Sequence, residues 1–145
     1  MVNGYLLDVN VLIALVRVDH IAHKTARRWF ERLGGSHWAT CAMTEGGFAR
    51  IITNPRFLDS PPDMGEALDM LRLLTRLSGH QFWTMDLSFV ETVAPVQERL
   101  FGHQQVTDAY LLGLAIKKRG KLATFDRGVS VLAGRELHRY LEIIE

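Results

Sequence analysis

Residues 5–16 read YLLDVNVLIALV, a short apolar run that passes directly into a helical pattern. We predict a first strand over Tyr5–Val9 and a helix over Val11–Val16. The same alternation of short apolar runs with helical patterns continues along the chain. It predicts further strands at His37–Cys41, Gln81–Met85, Leu122–Phe125 and Tyr140–Ile144, and further helices at Ile21–Leu33, Thr44–Thr53, Met64–Leu77 and Thr107–Arg119. Alternating strands and helices are typical of βαβ units, so we expect an α/β fold with a mainly parallel central sheet.

Several predicted helix ends rest on single residues. Thr44 and Thr107 are predicted N-caps, because a threonine hydroxyl can accept from a free backbone N–H. Gly34 is predicted to end the second helix and Gly120 the helix that begins at Thr107, since glycine commonly follows a helix C-terminus. Pro95 would either break or start a helix within Ser88–Leu100, so the sequence does not decide the structure of that segment.

Composition indicates one globular domain over residues 1–145. The 48% hydrophobic content supplies a sizeable core, which argues against a disordered chain. The formal net charge is only +1, so bulk charge does not indicate a nucleic-acid-binding protein. Cys41 is the single cysteine and cannot form an internal disulfide. No apolar run approaches the roughly 20 residues of a membrane span, and no signal peptide is recognised, so a cytoplasmic location is expected.

Four acidic residues are predicted to lie at one edge of the sheet. Asp8 stands near the end of the first predicted strand, and Asp126 follows the fourth. Glu45 opens the helix after the second strand, and Asp108 opens the helix that leads into the fourth. In a parallel α/β sheet the strand C-termini and helix N-termini share an edge, and ligands bind there. We therefore expect the four carboxylates to gather.

Each acid also has a simpler explanation. Asp8 and Asp126 could be turn residues, and Glu45 and Asp108 could be acids that suit a helix N-terminus. Taken together, however, four close carboxylates repel one another and cannot all remain ionised without a counter-charge. A hard divalent cation such as Mg²⁺ or Mn²⁺ supplies that charge and prefers oxygen ligands. The scattered histidines and the lone cysteine offer no zinc site.

Neighbouring polar residues could orient these carboxylates. Asn10 follows Asp8 by two positions, and Thr124 should share a strand face with Asp126. Both are predicted to hold carboxylates in place by hydrogen bonds. Thr107, beside Asp108, is a third candidate, although its role as a helix cap is the simpler interpretation.

Three separated segments resemble one known family. The stretch LLDVNVLIAL (6–15) resembles the opening motif of PIN-domain nucleases, and VTDAYLLGLAIKKRGKLATFDRGV (106–129) resembles their third and fourth acidic motifs in order and spacing. MTEGGFARIITNPRF (43–57) resembles the middle segment of VapC-type toxins of toxin–antitoxin pairs. Two departures occur: Val129 stands where an aromatic residue is common, and residues 88–105 match less clearly.

The resemblance implies a three-layer α/β sandwich and Mg²⁺-dependent cleavage of single-stranded RNA, leaving a 5′-phosphate and a 3′-hydroxyl. It also implies a homodimer and inhibition by a cognate antitoxin protein. The family's acidic residues correspond to Asp8, Glu45, Asp108 and Asp126. We expect the three aspartates to be metal ligands, and Glu45 to be a ligand or the acceptor of a proton from the attacking water.

An acidic site must still hold a polyanion. Arg50 and Arg127 are predicted contacts for the RNA backbone, because both lie near the predicted edge. The basic residues of Lys24–Arg32 lie at helical spacing, and a solvated helix face is the simpler explanation for them. Trp38, Trp83 and Phe101 could stack on unpaired bases, but core packing is the simpler interpretation of each.

Two other function classes share some of these features. A phosphoacceptor signalling domain also places acids and Mg²⁺ on a parallel sheet, with Asp86 as the acceptor after the third strand, but it commonly needs a lysine after the last strand. No lysine occurs beyond Lys121, and Asp86 could simply cap the next helix. A catalytically inactive RNA- or protein-binding module would have no need to assemble four mutually repelling acids.

Overall fold

The computed structural model describes residues 3–145. Its five strands are β1 (Tyr5–Leu7), β2 (Trp38–Thr40), β3 (His80–Phe82), β4 (Lys121–Thr124) and β5 (Leu141–Ile143). Its seven α-helices are α1 (Val9–Val16), α2 (His23–Leu33), α3 (Ala42–Ile52), α4 (Met64–Leu74), α5 (Phe89–Val93), α6 (Val106–Lys117) and α7 (Val129–Ala133). The predicted alternation of strands and helices is confirmed.

The strands form one sheet in the order β3-β2-β1-β4-β5, and every neighbouring pair is parallel. The chain builds outward from β1 to β3 on one side and then crosses to β4 and β5 on the other. The strand order therefore reverses between β1 and β4. In open α/β sheets, ligands bind at the carboxyl edge beside such a reversal.

Helices cover both faces of the sheet, as in a three-layer sandwich. Successive side chains of β1 point to opposite faces, so Leu6 and Leu7 belong to different cores. Leu6 packs with residues of α6 such as Leu111, whereas Leu7 packs with Leu12 of α1 and Phe48 of α3. All five side chains are fully buried. Burial on both faces explains why the strands read as short apolar runs rather than as alternating patterns.

A glycine brings α3 close to the beginning of α1. A Cβ atom on Gly47 would lie 2.7 Å from Cγ2 of Val9, the residue after Asp8. This distance is shorter than real Cβ contacts allow, so the close approach of the two helices requires glycine here. The packing places the first turn of α3, which carries Glu45, beside the helix that Asp8 begins.

Several helix ends differ from the prediction. Helix α3 begins at Ala42 after Cys41, so Thr44 is not its N-cap but lies in its first turn, where its hydroxyl accepts from the Cys41 N–H at 2.9 Å. Helix α6 follows a short 3₁₀ turn with Gln105 as its N-cap, so Thr107 is not a cap either. Gly34 does end α2 in the left-handed conformation.

The structure also corrects the predicted end of α6 and shows the conformation of the segment around Pro95. Helix α6 ends at Lys117, and Arg119 rather than Gly120 adopts the left-handed backbone, with φ 57°. The segment left open in the sequence contains α5 and then a 3₁₀ helix over Ala94–Arg99, which Pro95 helps to start. Within residues 3–145, no helix has the length and apolar character needed to cross a membrane.

Candidate active site

Asp8 connects β1 to α1 at the carboxyl edge of the sheet. Its backbone is extended, and its Oδ1 accepts a 2.8 Å hydrogen bond from the N–H of Val9. Its Oδ2 accepts from the hydroxyl of Thr124, the last residue of β4, at 2.8 Å. Two hydrogen bonds from two different elements therefore fix the orientation of this carboxylate.

Thr124 also holds the backbone at Asp126. The Thr124 hydroxyl oxygen accepts from the backbone N–H of Asp126 at 3.1 Å, and the Thr124 side chain is buried. Asp126 then accepts from the N–H of Gly128 through its own Oδ1 at 2.8 Å, which forms a tight turn. One buried hydroxyl thus connects the carboxylate after β1 with the chain segment after β4, across the reversal in strand order.

Asp108 lies in the first turn of α6 and is partly buried. Burial, together with the negative charges of Asp8 and Asp126, raises its pKa to about 6. The pKa of Asp8 is also raised, first by burial and further by Asp126, although the hydrogen bonds from Thr124 and Val9 oppose the change. The negative charge of Asp126 therefore acts on both Asp8 and Asp108, and that of Asp8 acts on Asp108, in the direction that disfavours their charged forms.

Glu45 occupies a different electrostatic setting. Its Oε2 accepts a 2.6 Å hydrogen bond from the hydroxyl of Thr40, the last residue of β2. The same hydroxyl lies 2.8 Å from Nε2 of His80, and the charge of Glu45 acts on His80 rather than on Asp8 or Asp108. Sequence reasoning identified Glu45 but missed Thr40 and His80.

The remaining predicted site residues lie on α1, α3, α6 and the turn that follows β4. Asn10 and Thr107 are exposed near the beginnings of α1 and α6, and neither makes a side-chain hydrogen bond within residues 3–145. Arg127 is exposed beside Asp126 and forms an ion pair with Glu145. Arg50 lies in the last turn of α3, five residues beyond Glu45 and thus about 7.5 Å further along the helix.

The aromatic and basic residues that could contact RNA differ in their exposure to solvent. Trp38 and Trp83 are buried in the core, as the simpler interpretation held, whereas Phe101 is 83% exposed. Helix α2 presents its basic residues to solvent, and Arg27 pairs with Glu31 of the same helix at 3.3 Å.

The donor chemistry of the aspartate cluster fits a hard divalent cation. All of its donors are carboxylate oxygens, and their mutual repulsion is what a bound cation would relieve. Across the part of the chain that the structure describes, no group of three or more His, Cys, Asp or Glu side chains is already arranged as a metal site. The charges of Asp8 and Asp126 nevertheless act on the pKa of Asp108, and that of Asp126 acts on the pKa of Asp8.

Comparison with known proteins decides the family. The PIN domain family matches residues 5–135. The chain belongs to the PIN-domain family. The family expected from the three sequence segments is therefore confirmed, and so is the α/β sandwich that it implied.

Similar PIN proteins include several ribonucleases of Mycobacterium tuberculosis. Ribonuclease VapC44 is 41% identical over 128 residues, which cover 88% of this chain and 89% of the relative. Ribonuclease VapC38 is 41% identical over 139 residues, covering 96% of each chain. Ribonuclease VapC39 is 38% identical over 125 residues, covering 86% of this chain and 90% of the relative. The similarity extends over nearly the whole of each chain, so this PIN protein is of the VapC type.

Proposed function

We propose that this protein is a metal-dependent endoribonuclease of the VapC type, formed by one domain over residues 1–145. Asp8, Asp108 and Asp126 would hold a divalent cation, Mg²⁺ with Mn²⁺ as a substitute. The observation that carries the proposal is the interaction of these carboxylates beside the strand reversal, where burial and two neighbouring charges raise the pKa of Asp108 to about 6. Folding brings like charges together at a cost in free energy, and binding of a cation offsets that cost.

The reaction proposed is hydrolysis of an RNA phosphodiester to a 5′-phosphate and a 3′-hydroxyl. When bound, a divalent cation stabilises negative charge on the phosphoryl oxygens and lowers the pKa of an attacking water. Glu45 accepts the proton of that water, because its carboxylate is held at the carboxyl edge by Thr40. Thr124 fixes Asp8, whose two oxygens each accept one hydrogen bond and keep a further lone pair.

Single-stranded or loop RNA is the proposed substrate, and the names of the homologous ribonucleases support RNA as the polymer that is cut. Arg127 is the better placed of the two predicted backbone contacts, because it is exposed directly beside Asp126. To bind a phosphate it would exchange its ion pair with Glu145 for the ligand. Arg50 would contact RNA further from the scissile bond. The exposed ring of Phe101 is available to stack on an unpaired base.

We also propose that the protein is a toxin controlled by a separate antitoxin chain, that it forms a homodimer, and that it acts in the cytoplasm. Helix α2, which lies within the predicted helix Ile21–Leu33, presents charged residues to solvent, so its exposed face is not an apolar docking surface for that chain. Leu73 and Leu77 instead line an apolar groove with Val16, and Leu73 is 65% exposed. Expression without a partner should arrest growth, and Asp8→Asn should relieve the arrest. Normal growth with abundant soluble wild-type protein would contradict the toxin assignment.

The cleavage proposal is tested with purified protein and a labelled single-stranded RNA, in Mg²⁺ or Mn²⁺ and in excess EDTA. Wild type should cleave only with metal, and Asp8→Asn and Asp126→Asn should abolish cleavage. Asp86→Asn is the matched control, since Asp86 is also an exposed acid following a strand. Cleavage that persists in EDTA, or an inactive Asp86→Asn beside an active Asp126→Asn, would refute the assignment.

The two other function classes are less well supported. Asp86 follows β3, the edge strand, which lies two positions from β1 and hence about 10 Å from it. It is not a helix cap, because Ser88 caps α5. A phosphoacceptor site would therefore be remote from the interacting aspartates. A non-catalytic binding function would not explain why Asp8, Asp108 and Asp126 interact.

A further inference from the structure

Three side chains from three different elements are connected end to end by two hydrogen bonds. The hydroxyl of Thr40 donates to Oε2 of Glu45 at 2.6 Å, and Nε2 of His80 lies 2.8 Å from the same hydroxyl oxygen. Thr40 closes β2, Glu45 lies in the first turn of α3, and His80 begins β3. Thr40 is completely buried, so both contacts are shielded from water.

The number of protons determines the direction of each hydrogen bond. A threonine hydroxyl has one proton, and its short bond to Oε2 of Glu45 uses that proton. The Thr40 oxygen can then only accept, so His80 must donate from Nε2. Burial lowers the pKa of His80, which favours a neutral ring at neutral pH, although the charge of Glu45 opposes the change. A neutral ring with its proton on Nε2 satisfies the arrangement.

The sheet and the core fix the position of the His80 ring. His80 pairs with Trp38 in the parallel register of β2 and β3, so His80, Trp38 and Thr40 occupy one face of the sheet. The rings of His80 and Trp38 lie 4.8 Å apart at an interplanar angle of 60°. Trp38 is buried, and its indole N–H donates to the carbonyl of Ser78 at 3.0 Å. The buried core around Trp38 therefore holds the His80 ring, the first donor of these connected hydrogen bonds, in place.

We propose that His80 and Thr40 are positioning residues for the ribonuclease reaction, holding the carboxylate of Glu45 in the orientation in which it accepts a proton. The inference rests on the proposed function. Glutamate has three rotatable side-chain bonds, and holding it in one conformation before the reaction lowers the barrier. The Thr40 bond fixes Oε2, whereas no protein group within residues 3–145 donates to Oε1. That oxygen remains available for the water.

Paired substitutions at Thr40 separate this role from simple packing. Thr40→Val keeps the shape of the side chain but removes the hydroxyl, whereas Thr40→Ser keeps the hydroxyl. In steady-state RNA cleavage we expect Thr40→Val to lower kcat about 10-fold or more, with KM changed little, and Thr40→Ser to stay near wild type. His80→Gln retains a donor and should cleave faster than His80→Phe, which retains only the ring. Wild-type kcat in Thr40→Val would overturn the proposal.

Combination with a change at Glu45 identifies the residue through which Thr40 acts. Because Thr40 is proposed to act only through this carboxylate, adding Thr40→Val to Glu45→Gln should lower kcat no further. An equal loss in both backgrounds would show that Thr40 serves the fold alone and would overturn the proposal. Urea unfolding of each variant establishes that the comparison is made between folded proteins.

A measurement on the metal-free protein does not depend on catalysis. Nitrogen-15 NMR of the histidine rings should show neutral His80 with its proton on Nε2. Glu45→Gln should shift the His80 signals more in wild type than in Thr40→Val, where the charge of Glu45 still acts on the ring but the connecting hydroxyl is missing. A proton on Nδ1 in wild type would overturn the proposal even if RNA is cleaved. Conversely, a wild-type protein that fails to cleave RNA, but shows the expected NMR signals, would refute the proposed function and not the hydrogen-bond chain.

Discussion

Replacement of Asp108 by asparagine should stabilise the metal-free protein. In the folded state, burial and the charges of Asp8 and Asp126 raise the pKa of Asp108 from 3.8 to about 6. The folded state therefore binds a proton more readily than the unfolded chain does. This contribution to stability is fully present below about pH 4 and is lost as the pH rises towards 6. Asp108→Asn keeps the shape and removes the charge.

The size of the effect follows from the same values. At about 1.4 kcal/mol for each tenfold change in proton affinity, a rise from 3.8 to about 6 corresponds to about 3 kcal/mol. Asp108 is only partly buried, and solvent screening reduces this value, so we expect Asp108→Asn to raise the free energy of unfolding at pH 7 by about 1 kcal/mol. The gain should disappear near pH 4, where wild-type Asp108 is protonated when folded.

Urea unfolding in EDTA between pH 4 and pH 8 measures this difference. Asp86→Asn is the control, since it removes an exposed acid away from the cluster, and its stability should follow wild type. Excess Mn²⁺ should stabilise wild type more than Asp108→Asn. An Asp108 that merely favours the helix dipole would behave in the opposite way, with asparagine costing roughly 0.3–1 kcal/mol. A less stable Asp108→Asn in EDTA at pH 7, with an unchanged response to Mn²⁺, would refute the reasoning.

Two further predictions concern the groups that shape the site. Thr124→Val removes the hydroxyl that donates to Asp8 and accepts from the Asp126 N–H, so RNA cleavage should fall about 10- to 100-fold. Thr124→Ser keeps the hydroxyl and should cleave nearly as wild type. Equal activities of the two variants in a cleavage assay would contradict this role. Gly47→Ala places a Cβ 2.7 Å from Val9 and should lower the free energy of unfolding by about 1–3 kcal/mol. Gly46→Ala, on the same helix but facing open space, should instead raise the free energy of unfolding by up to about 1 kcal/mol. Equal changes in the stability of the two variants, measured by urea unfolding, would contradict the packing argument.

The sequence was sufficient to place the aspartates because their location follows from general rules. A parallel sheet puts strand C-termini and helix N-termini at one edge, so Asp8, Asp108 and Asp126 could be assigned to that edge from the chain alone. Thr124 was found in the same way, since side chains alternate along a strand. These inferences needed the order of the elements and tolerated errors of one or two residues at their ends.

The environment of Glu45 depended on details that such rules do not supply. The third strand was predicted to begin at Gln81, which left His80 outside it, and only the register of β3 against β2 brings His80 to Thr40. Likewise, Cys41 is an unusual residue to precede a helix, so the start of α3 was placed two residues late. Arg119 adopts a backbone conformation usually reserved for glycine. For His80, the pairing of two strands rather than a local preference decides the position.

The central claim is that Asp8, Asp108 and Asp126 form one divalent-cation site, and Mn²⁺ binding to the metal-free protein tests it most directly. Calorimetric titration of wild type, the three single Asp→Asn variants and Asp86→Asn compares their affinities without any RNA. We expect Mn²⁺ to bind wild type and Asp86→Asn equally, and each of the three variants at least about 10-fold more weakly. Wild-type affinity in Asp8→Asn, Asp108→Asn or Asp126→Asn would contradict the claim.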